Sequence, residues 1–593
     1  MTSGRYLLLV SNNDAAADRL RALGQRVART SELRVIASDT AYMLLADTHM
    51  CWTDLGQSRG VILGTIFARD QGGRSDTVFA DQAVEAIAAS HGDRLVTEYW
   101  GGYVAILWQA SGRRWDIVRD PSGFMACYHG QAHDITAITS DVRLLATIGI
   151  IEGKVDWPAL SRHLIMPEQR GEETCITGAH ELLRGHRLTV GGDGRHISQI
   201  WSPWTFALPS DQITDYDDAV ESLAFTLTSS VAAWARNFNH ILLGVSGGLD
   251  SSIVAACLRQ AETEFTCHTV STREPVGDER LPARRLADSV KSPLIEHWYD
   301  IADIDITRSD AAQYPRPLSR IFAQSLSARS SEAARSVGAD AFFSGGGGDN
   351  VFSLQRSGAP LADHCLMEGF WAARLTLRHL CDLTDASIVE ALLHARHFMR
   401  RRNKPYRWNA ETEFLSFRDD VMPVGNGHPW LCLPPEGLPG KARHIAMILR
   451  FQNHLEGYRH AELAPKLAPL MSQPIVEQCL KIASWLWLRD GMDRSVARRA
   501  FAAHLPPDII GRRSKGSPDS FVIEIYQHFR PAIREMLNDG LLAANNMLDL
   551  PAINRALAES GPVQGNAYGR ILSLVDAESW ARSWRGLRPS LLT

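Results

Sequence analysis

No apolar run in this 593-residue chain is long enough to cross a bilayer. The N-terminal stretch MTSGRYLLLVSNNDAA passes from a short apolar run into polar residues without a signal-peptide cleavage pattern, so a cytoplasmic protein with no membrane span is expected. An excess of one charge is also missing. Sixty-two Lys and Arg stand against 67 Asp and Glu, a formal net charge of −5, which leaves no electrostatic ground for nucleic-acid binding. The nine cysteines, at 51, 127, 175, 257, 267, 365, 381, 432 and 479, form no C-x-x-C pair and have no paired-histidine spacing nearby. They read as reduced and mostly buried, and a zinc site is not expected. There is no low-complexity tract and no internal repeat. What remains is an ordinary globular composition, 45% hydrophobic and 22% charged, in a chain too long for one core.

The most informative segment is Ser246-Gly-Gly-Leu-Asp-Ser-Ser252, set between an apolar strand expected over His240–Val245 and a helix expected from Ser251 to Gln260. Two glycines allow a tight turn and close approach to a ligand, and the hydroxyls can donate to phosphate oxygens. The free N–H groups of the helix start face an anion. A carboxylate at Asp250 would repel bound phosphates unless a cation lay between, so it reads as a Mg²⁺ ligand. The segment is neither a Walker loop nor a Rossmann G-x-G-x-x-G. A bare Ser-Gly-Gly is a common turn; the strand before it and the acid and serines after it point to pyrophosphate.

Around this loop the chain has two grammars. Residues 1 to about 195 are short strands separated by turns: YLLLVS, LRVIAS, AYMLLAD, GVILGTIFAR, YVAILWQA, RWDIVRD and HRLTV. Helical periodicity there is confined mainly to Phe79–Ser90 and Asp141–Ile148, which predicts layered sheets with few helices. From Asp215 onward helices alternate with the strands HILLGV, FTCHTVST, LIEHWYD and ADAFFSG, predicting a doubly wound parallel sheet with its ligand site at the strand carboxyl ends. The join is expected at 202–214, between domains of residues 1–205 and 206–593. A second cluster, Ser344-Gly-Gly-Gly-Gly-Asp349-Asn350, follows ADAFF, and in one parallel sheet Asp250 and Asp349 would meet around a common metal.

SGGLDSS resembles the PP-loop of ATP pyrophosphatases, and the chain as a whole resembles asparagine synthetases. The likeness extends through GGYVAILWQASGRRWDIVRDPSGFMACYH (Gly101–His129), RGHRLTV before Trp201, PLMSQPIVE (Pro469–Glu477), and DRSVARRAF leading to RRSKG (Arg512–Gly516). The resemblance implies an Ntn-type glutaminase-like α+β sandwich followed by a synthetase domain using ATP and Mg²⁺. By resemblance, Val245, Val270, Ser344 and Gly345 would rest against the adenosine, and Ser246, Gly247, Gly248, Ser251 and Ser252 would hold pyrophosphate. Asp250 and Asp349 would ligate Mg²⁺, and Lys515 would neutralise the charge that develops as AMP leaves. Arg512 and Arg513 stay open between phosphate contact and surface charge.

Two departures matter. Glutamine-hydrolysing relatives begin Met-Cys-Gly, whereas this chain begins Met1-Thr2-Ser3-Gly4, and the family's Asn-Gly-Glu is replaced by Leu63-Gly64-Thr65. A silent glutaminase domain is expected. In the second loop Gly346 stands where asparagine synthetases carry the Glu of S-G-E-G-A-D, which implies a different amine and opens space. With these departures the chain is most similar to the lasso peptide cyclases, which adenylate an Asp or Glu side chain of a precursor peptide and let the peptide's own N-terminal amine close a macrolactam. A precursor peptide is then the substrate, with a leader peptidase and a leader-binding protein as partners. The alternatives are a small-molecule amide ligase of the asparagine synthetase or β-lactam synthetase type, and a non-catalytic scaffold. His454, Glu456, Tyr458 and His460 are candidate bases for the amine, each with a competing core or surface role. The helical segment carrying FWAARLTLRHL and FMRRRNKPYRW offers Trp371, Arg374, Tyr406 and Trp408 as peptide anchors, or is simply an amphipathic subdomain with a solvated basic face.

Overall fold

A computed structural model describes residues 4–11, 16–56, 59–69, 79–109, 114–191, 194–416, 427–513, 516–558 and 565–586. Two antiparallel sheets of six strands stack in the N-terminal half. One runs in the order His180–Glu181, Tyr128–Ala132, Ile135–Thr139, Tyr6–Ser11, Tyr42–Ala46, Arg34–Ser38. The other runs Gly194–Gln199, His186–Gly191, Arg114–Arg119, Tyr99–Gln109, Gly60–Ala68, Trp52–Asp54. Alternation sends Tyr6, Leu8 and Val10 from the first sheet and Leu63, Val104, Ile106, Ile117 and Leu188 from the second into a shared apolar layer. This is the sandwich that the glutaminase-like resemblance implies.

Helices are more numerous here than the periodicity suggested. Ala17–Thr30 and Trp157–Ile165 join Asp81–Ala89 and Val142–Thr147. The first was masked by four arginines in fourteen residues, yet Leu20, Leu23 and Val27 are buried at the spacing of one helical face.

The C-terminal half is built on a five-stranded sheet, all parallel, ordered Leu294–Trp298, Phe265–Ser271, Ile241–Gly244, Ala341–Ser344, Lys466–Leu467. Ile241 and Leu243 pack into the large core shared with helices Tyr216–Ala235 and Leu249–Gln260. Leu242 and Phe342 face the other way, onto Ala333 and Ala334 of helix Ala323–Val337. The sheet is therefore doubly wound. Successive strands step outward from Ile241–Gly244 on one side, and the next, Ala341–Ser344, returns to its opposite edge. The order reverses between the two strands that carry the glycine loops, where a doubly wound sheet opens a crevice. The two-residue strand Lys466–Leu467 is too short to be legible as a period.

The two halves are joined by polar contacts at buried positions. Arg119 donates to Glu181 (2.9 Å) and Glu456 (3.4 Å), Tyr128 donates to Glu456 (2.9 Å), and Arg316 donates to Glu181 (2.5 Å). Arg69 grips Glu477 through both nitrogens at 2.8 and 3.0 Å, and the indole of Trp201 donates to the same carboxylate at 2.9 Å. PLMSQPIVE is thus a docking element: its Gln473 donates to the Val96 carbonyl, while Met471 lies against Gly347 of the second glycine loop.

Candidate active site

The backbone N–H of Val245 donates to the carbonyl of His268 on the neighbouring strand at 2.8 Å, which fixes where the first loop leaves the sheet. Gly247 sits at φ +61°, and a side chain there would run into Pro282, so the turn requires glycine on both counts. Helix Leu249–Gln260 starts at once, with Gly248 as its cap residue. The Ser252 hydroxyl donates to the Gly248 carbonyl at 2.8 Å from a fully buried position, and Ser251 accepts from the Ser246 N–H at 3.4 Å. These hydroxyls shape the loop from beneath.

The second loop leaves strand Ala341–Ser344 and turns into the short helix Gly348–Val351. Gly348 lies where any side chain would strike the carboxyl group of Asp250, so its bareness is what lets the two loops close on each other. Asp250 and Asp349 are brought to one guanidinium: Arg494 Nη1 donates to Asp250 at 3.1 Å and to Asp349 at 2.5 Å, while its Nε donates to Asp493 at 3.1 Å. Arg494 holds a left-handed backbone, φ +54°. Burial alone would lower its pKa, but three carboxylates raise it above the ordinary value. Asp493 is held down to about 2, because Arg498 and Arg494 outweigh its own burial. Arg494 lies in the DRSVARRAF segment that carried the resemblance, yet nothing in its spacing gave it a role; the only local signal was an arginine beside an aspartate.

A cavity of about 430 Å³ opens over both loops. Among the residues expected at the site, Val245, Ser246, Gly248, Asp250, Ser251, Val270, Gly345 and Asp349 line it, whereas Gly247, Ser252 and Ser344 do not. His268, Leu326, Ser330, Asn350, Phe451 and Arg494 line it as well and were not foreseen. Burial, with His297 beside it, pushes His268 down to about 3, so it is a neutral ring at physiological pH, facing the His297 Nδ1 at 3.0 Å.

The space expected at Gly346 is not open. The ring of Phe451 occupies it, so closely that a Cβ on Gly346 would stand 2.6 Å from the ring edge. Where relatives carry a carboxylate, this cavity has an aromatic face.

Lys515 lies outside the described residues, as does Thr2. Of its neighbours, Arg512 is committed within the protein: it donates to both Glu279 oxygens at 2.8 and 3.0 Å and to the Ser246 carbonyl at 3.0 Å, bracing the first loop. Arg513 is exposed and lines the cavity. None of the four candidate bases lines it. His454 faces Glu168, Glu456 is taken by Arg119 and Tyr128, and His460 bonds Ser327. Tyr458 lies beneath Arg320 and Lys466, whose charges overcome burial and bring it to about 8. Two of the four peptide-anchor candidates, Tyr406 and Trp408, pack partly against the cores; Trp371 and Arg374 are exposed.

The donor set suits a magnesium nucleotide. Two hard carboxylate oxygens converge on one positive centre, beside a glycine-built loop that opens a helix N-terminus. Among the described residues no group of three or more His, Cys, Asp or Glu is arranged to hold a metal ion. No helix among the described residues is long and apolar enough to cross a membrane.

The family model described as asparagine synthase matches residues 222–582. Among solved structures, a glutamine phosphoribosylpyrophosphate amidotransferase from B. subtilis, complexed with ADP and GMP, is 11% identical; the match covers 46% of this chain and 67% of that one, with a TM-score of 0.20. An allosteric regulatory enzyme of purine biosynthesis is 9% identical over 50% of this chain and 80% of that one, with a TM-score of 0.21. A search of curated proteins returns no match.

Proposed function

We propose, from the premise that the chain belongs to the asparagine synthase family, that it adenylates an Asp or Glu side chain of a precursor peptide and closes a macrolactam with the peptide's N-terminal amine, as lasso peptide cyclases do. The observation that carries the peptide reading is Phe451 over Gly346. An apolar ring in place of a carboxylate removes the partner that a small charged amine would use and supplies a surface for a peptide. The N-terminal domain, which we place at residues 1–205, supports the same reading. Leu63, at the position of the glutamine-binding Asn, is packed into the layer between the sheets, so glutamine is not the nitrogen source. The synthetase domain then spans 206–593.

In the first step a substrate carboxylate oxygen attacks the α-phosphorus of ATP, and the bond to the β-phosphate breaks. Ser246, Gly248 and Ser251, which line the cavity, would receive the pyrophosphate, with Gly247 and Ser252 shaping the turn of the loop. Asp250 and Asp349 would hold Mg²⁺, which supplies charge neutralisation for the phosphates. Val245, Val270, Ser344 and Gly345 would bound the adenosine. In the second step the neutral amine attacks the acyl carbon, the bond to AMP breaks, and the ammonium proton passes to solvent. An α-amine with a pKa near 8 is partly neutral at cellular pH, so no dedicated base is needed. Arg494 and Arg513, with Lys515 by the family resemblance, would stabilise the departing anions. A leader peptidase and a leader-binding protein would present the core peptide.

The test is ATP–pyrophosphate exchange by the purified protein with Mg²⁺, comparing a leaderless core peptide with free aspartate, with product mass read in parallel. Exchange only with the peptide, with loss of one water from it, is the expected result. Exchange with aspartate returns the chain to the small-molecule ligases, and exchange with neither leaves the scaffold reading.

A further inference from the structure

The lining of the cavity over the glycine loops divides by element. The loops and the segments around Arg494 and Arg513 bring carboxylates, hydroxyls and guanidiniums. Strand Phe265–Ser271 and helix Ala323–Val337 bring Val270 and Leu326, an apolar stretch of the kind a purine ring fills. Two polar side chains interrupt that stretch, His268 and Ser330.

His268 is 3% exposed. Alternation along the strand puts it on the same face as Val270, and its carbonyl takes the Val245 N–H. Its Nε2 meets His297 Nδ1 at 3.0 Å. Its Nδ1 has no hydrogen-bond partner among the described residues, yet it is not sealed from solvent, so it opens on the cavity that the ring lines.

The outer partner decides which nitrogen carries the proton. His297 Nε2 faces a Glu332 oxygen at 4.0 Å, and that oxygen also accepts from Arg329 at 2.9 Å. A carboxylate favours an N–H pointed toward it over a lone pair. His297 therefore carries its proton on Nε2, its Nδ1 accepts from His268 Nε2–H, and His268 Nδ1 presents a bare lone pair to the cavity. Burial keeps that ring neutral.

A lone pair in an apolar slot is stabilised by an N–H donor. Adenine supplies one in its 6-amino group, whereas a 6-oxo purine sets a carbonyl oxygen there, acceptor against acceptor. The Ser330 hydroxyl can rotate to donate or accept, so it does not discriminate. The amine of the second step is a donor too. However, the strand that leads to Gly346 lies beyond Ile241–Gly244, roughly 10 Å from His268 across the sheet.

We propose that His268, held as an acceptor by His297 and Glu332, takes a hydrogen bond from the 6-amino group of ATP and so selects adenine over 6-oxo purines. The proposal rests on the nucleotide-binding part of the reading above and adds which residue reads the base.

The test is isothermal titration calorimetry on the full chain with Mg²⁺ at about pH 8, above the usual imidazole range. The ligands are ATP, purine riboside triphosphate, which lacks the 6-amino group, and inosine triphosphate, which carries the 6-oxo group. Relative to ATP, the wild type binds the first analogue about tenfold and the second about a hundredfold more weakly. His268→Phe keeps the bulk of the ring and brings the three nucleotides to within about threefold of one another. Glu332→Gln, at an exposed position, frees the tautomer and narrows the ATP-to-inosine-triphosphate ratio about threefold, a change that a merely structural role would not produce. Equal binding of the three nucleotides by the wild type, or an ATP preference that survives in His268→Phe, overturns the proposal. An unchanged ratio in Glu332→Gln overturns the part given to Glu332, and it needs no buried substitution to read. Peptide-dependent pyrophosphate exchange that runs equally well with ATP and inosine triphosphate removes the role of His268 and leaves the macrolactam reading intact. Selective ATP binding with no peptide supporting exchange keeps that role and removes the macrolactam reading.

Discussion

Arg494 donates to Asp349 at 2.5 Å from a backbone held at φ +54°, a conformation that costs a non-glycine residue of the order of 1 kcal/mol or more. The surrounding carboxylates hold it there. Asp493 anchors one nitrogen of the guanidinium, and another spans the carboxylates of both loops. The loops and the segment that follows PLMSQPIVE are therefore one electrostatic unit, and their residues are expected to fail together.

Arg494→Ala lowers ATP–pyrophosphate exchange by about a hundredfold, the scale of losing one charge-stabilising donor, and Arg494→Lys recovers part of it. Asp250→Ala and Asp349→Ala abolish exchange, whereas Thr2→Ala leaves it nearly unchanged. The measurement is the exchange rate at saturating ATP and Mg²⁺. A full rate in Arg494→Ala would reduce the guanidinium to a clasp between loops, and a full rate in either aspartate variant would end the metal assignment.

The contact between Gly346 and Phe451 predicts a compensating pair. Gly346→Ala pushes its methyl into the ring and lowers the thermal midpoint, and Phe451→Ala alone costs less than the roughly 3 to 5 kcal/mol typical of a fully buried phenylalanine, about 1 to 2 kcal/mol, because the ring is half-buried at the cavity wall. Combined, the two substitutions cost less than their sum, because the methyl enters the space the ring vacates. Strict additivity in a double-mutant cycle would show that the two residues do not press on each other.

Glu181 is buried between Arg119 and Arg316, and their charges hold its carboxyl well below the ordinary range despite its burial. Glu181→Gln leaves two buried guanidiniums short of a counter-charge and costs about 3 to 5 kcal/mol. Urea unfolding monitored by tryptophan fluorescence reads the loss. A change of only a few tenths of a kcal/mol would mean that water reaches the site and replaces the carboxylate.

Asp493 sets a pH window. Its folded pKa of about 2 lies below the unfolded value near 4, so its contribution to stability is complete above about pH 4 and fades as pH falls toward 2. The urea midpoint of the wild type is expected to fall between pH 5 and pH 3 by more than that of Asp493→Asn. Equal slopes would show that Asp493 gains nothing from Arg498 and Arg494 in the folded state.

The parallel sheet, its alternation with helices and both glycine loops were legible because strand, turn and helix signals there are local and agree with one another. Eight of the expected site residues line one cavity for the same reason: each lies at the carboxyl end of a strand or in the loop and first helical turn that follow it, where the order of the sheet places them. What was not legible depended on long-range packing. Phe451 lies roughly a hundred residues beyond Gly346, and no pattern in a run of helix announces that one ring will fill a space left by another segment. The commitments of Glu456 and His460 were equally hidden, since their partners Tyr128 and Ser327 belong to distant elements. The helix Ala17–Thr30 is a different kind of miss, because its apolar face was present and its arginines drew the eye away.

Phe451 and Gln452 are neighbours on one helix: the first closes the cavity over Gly346, and the second donates to the carbonyls of Pro121 and Ser122 in the N-terminal half. The floor of one room is thus nailed to the joists of another. Removing the first two hundred residues would therefore take the backing from the wall that Phe451 forms, so the shape of the cavity in the second half depends on a first half that, among the described residues, contributes none of its lining.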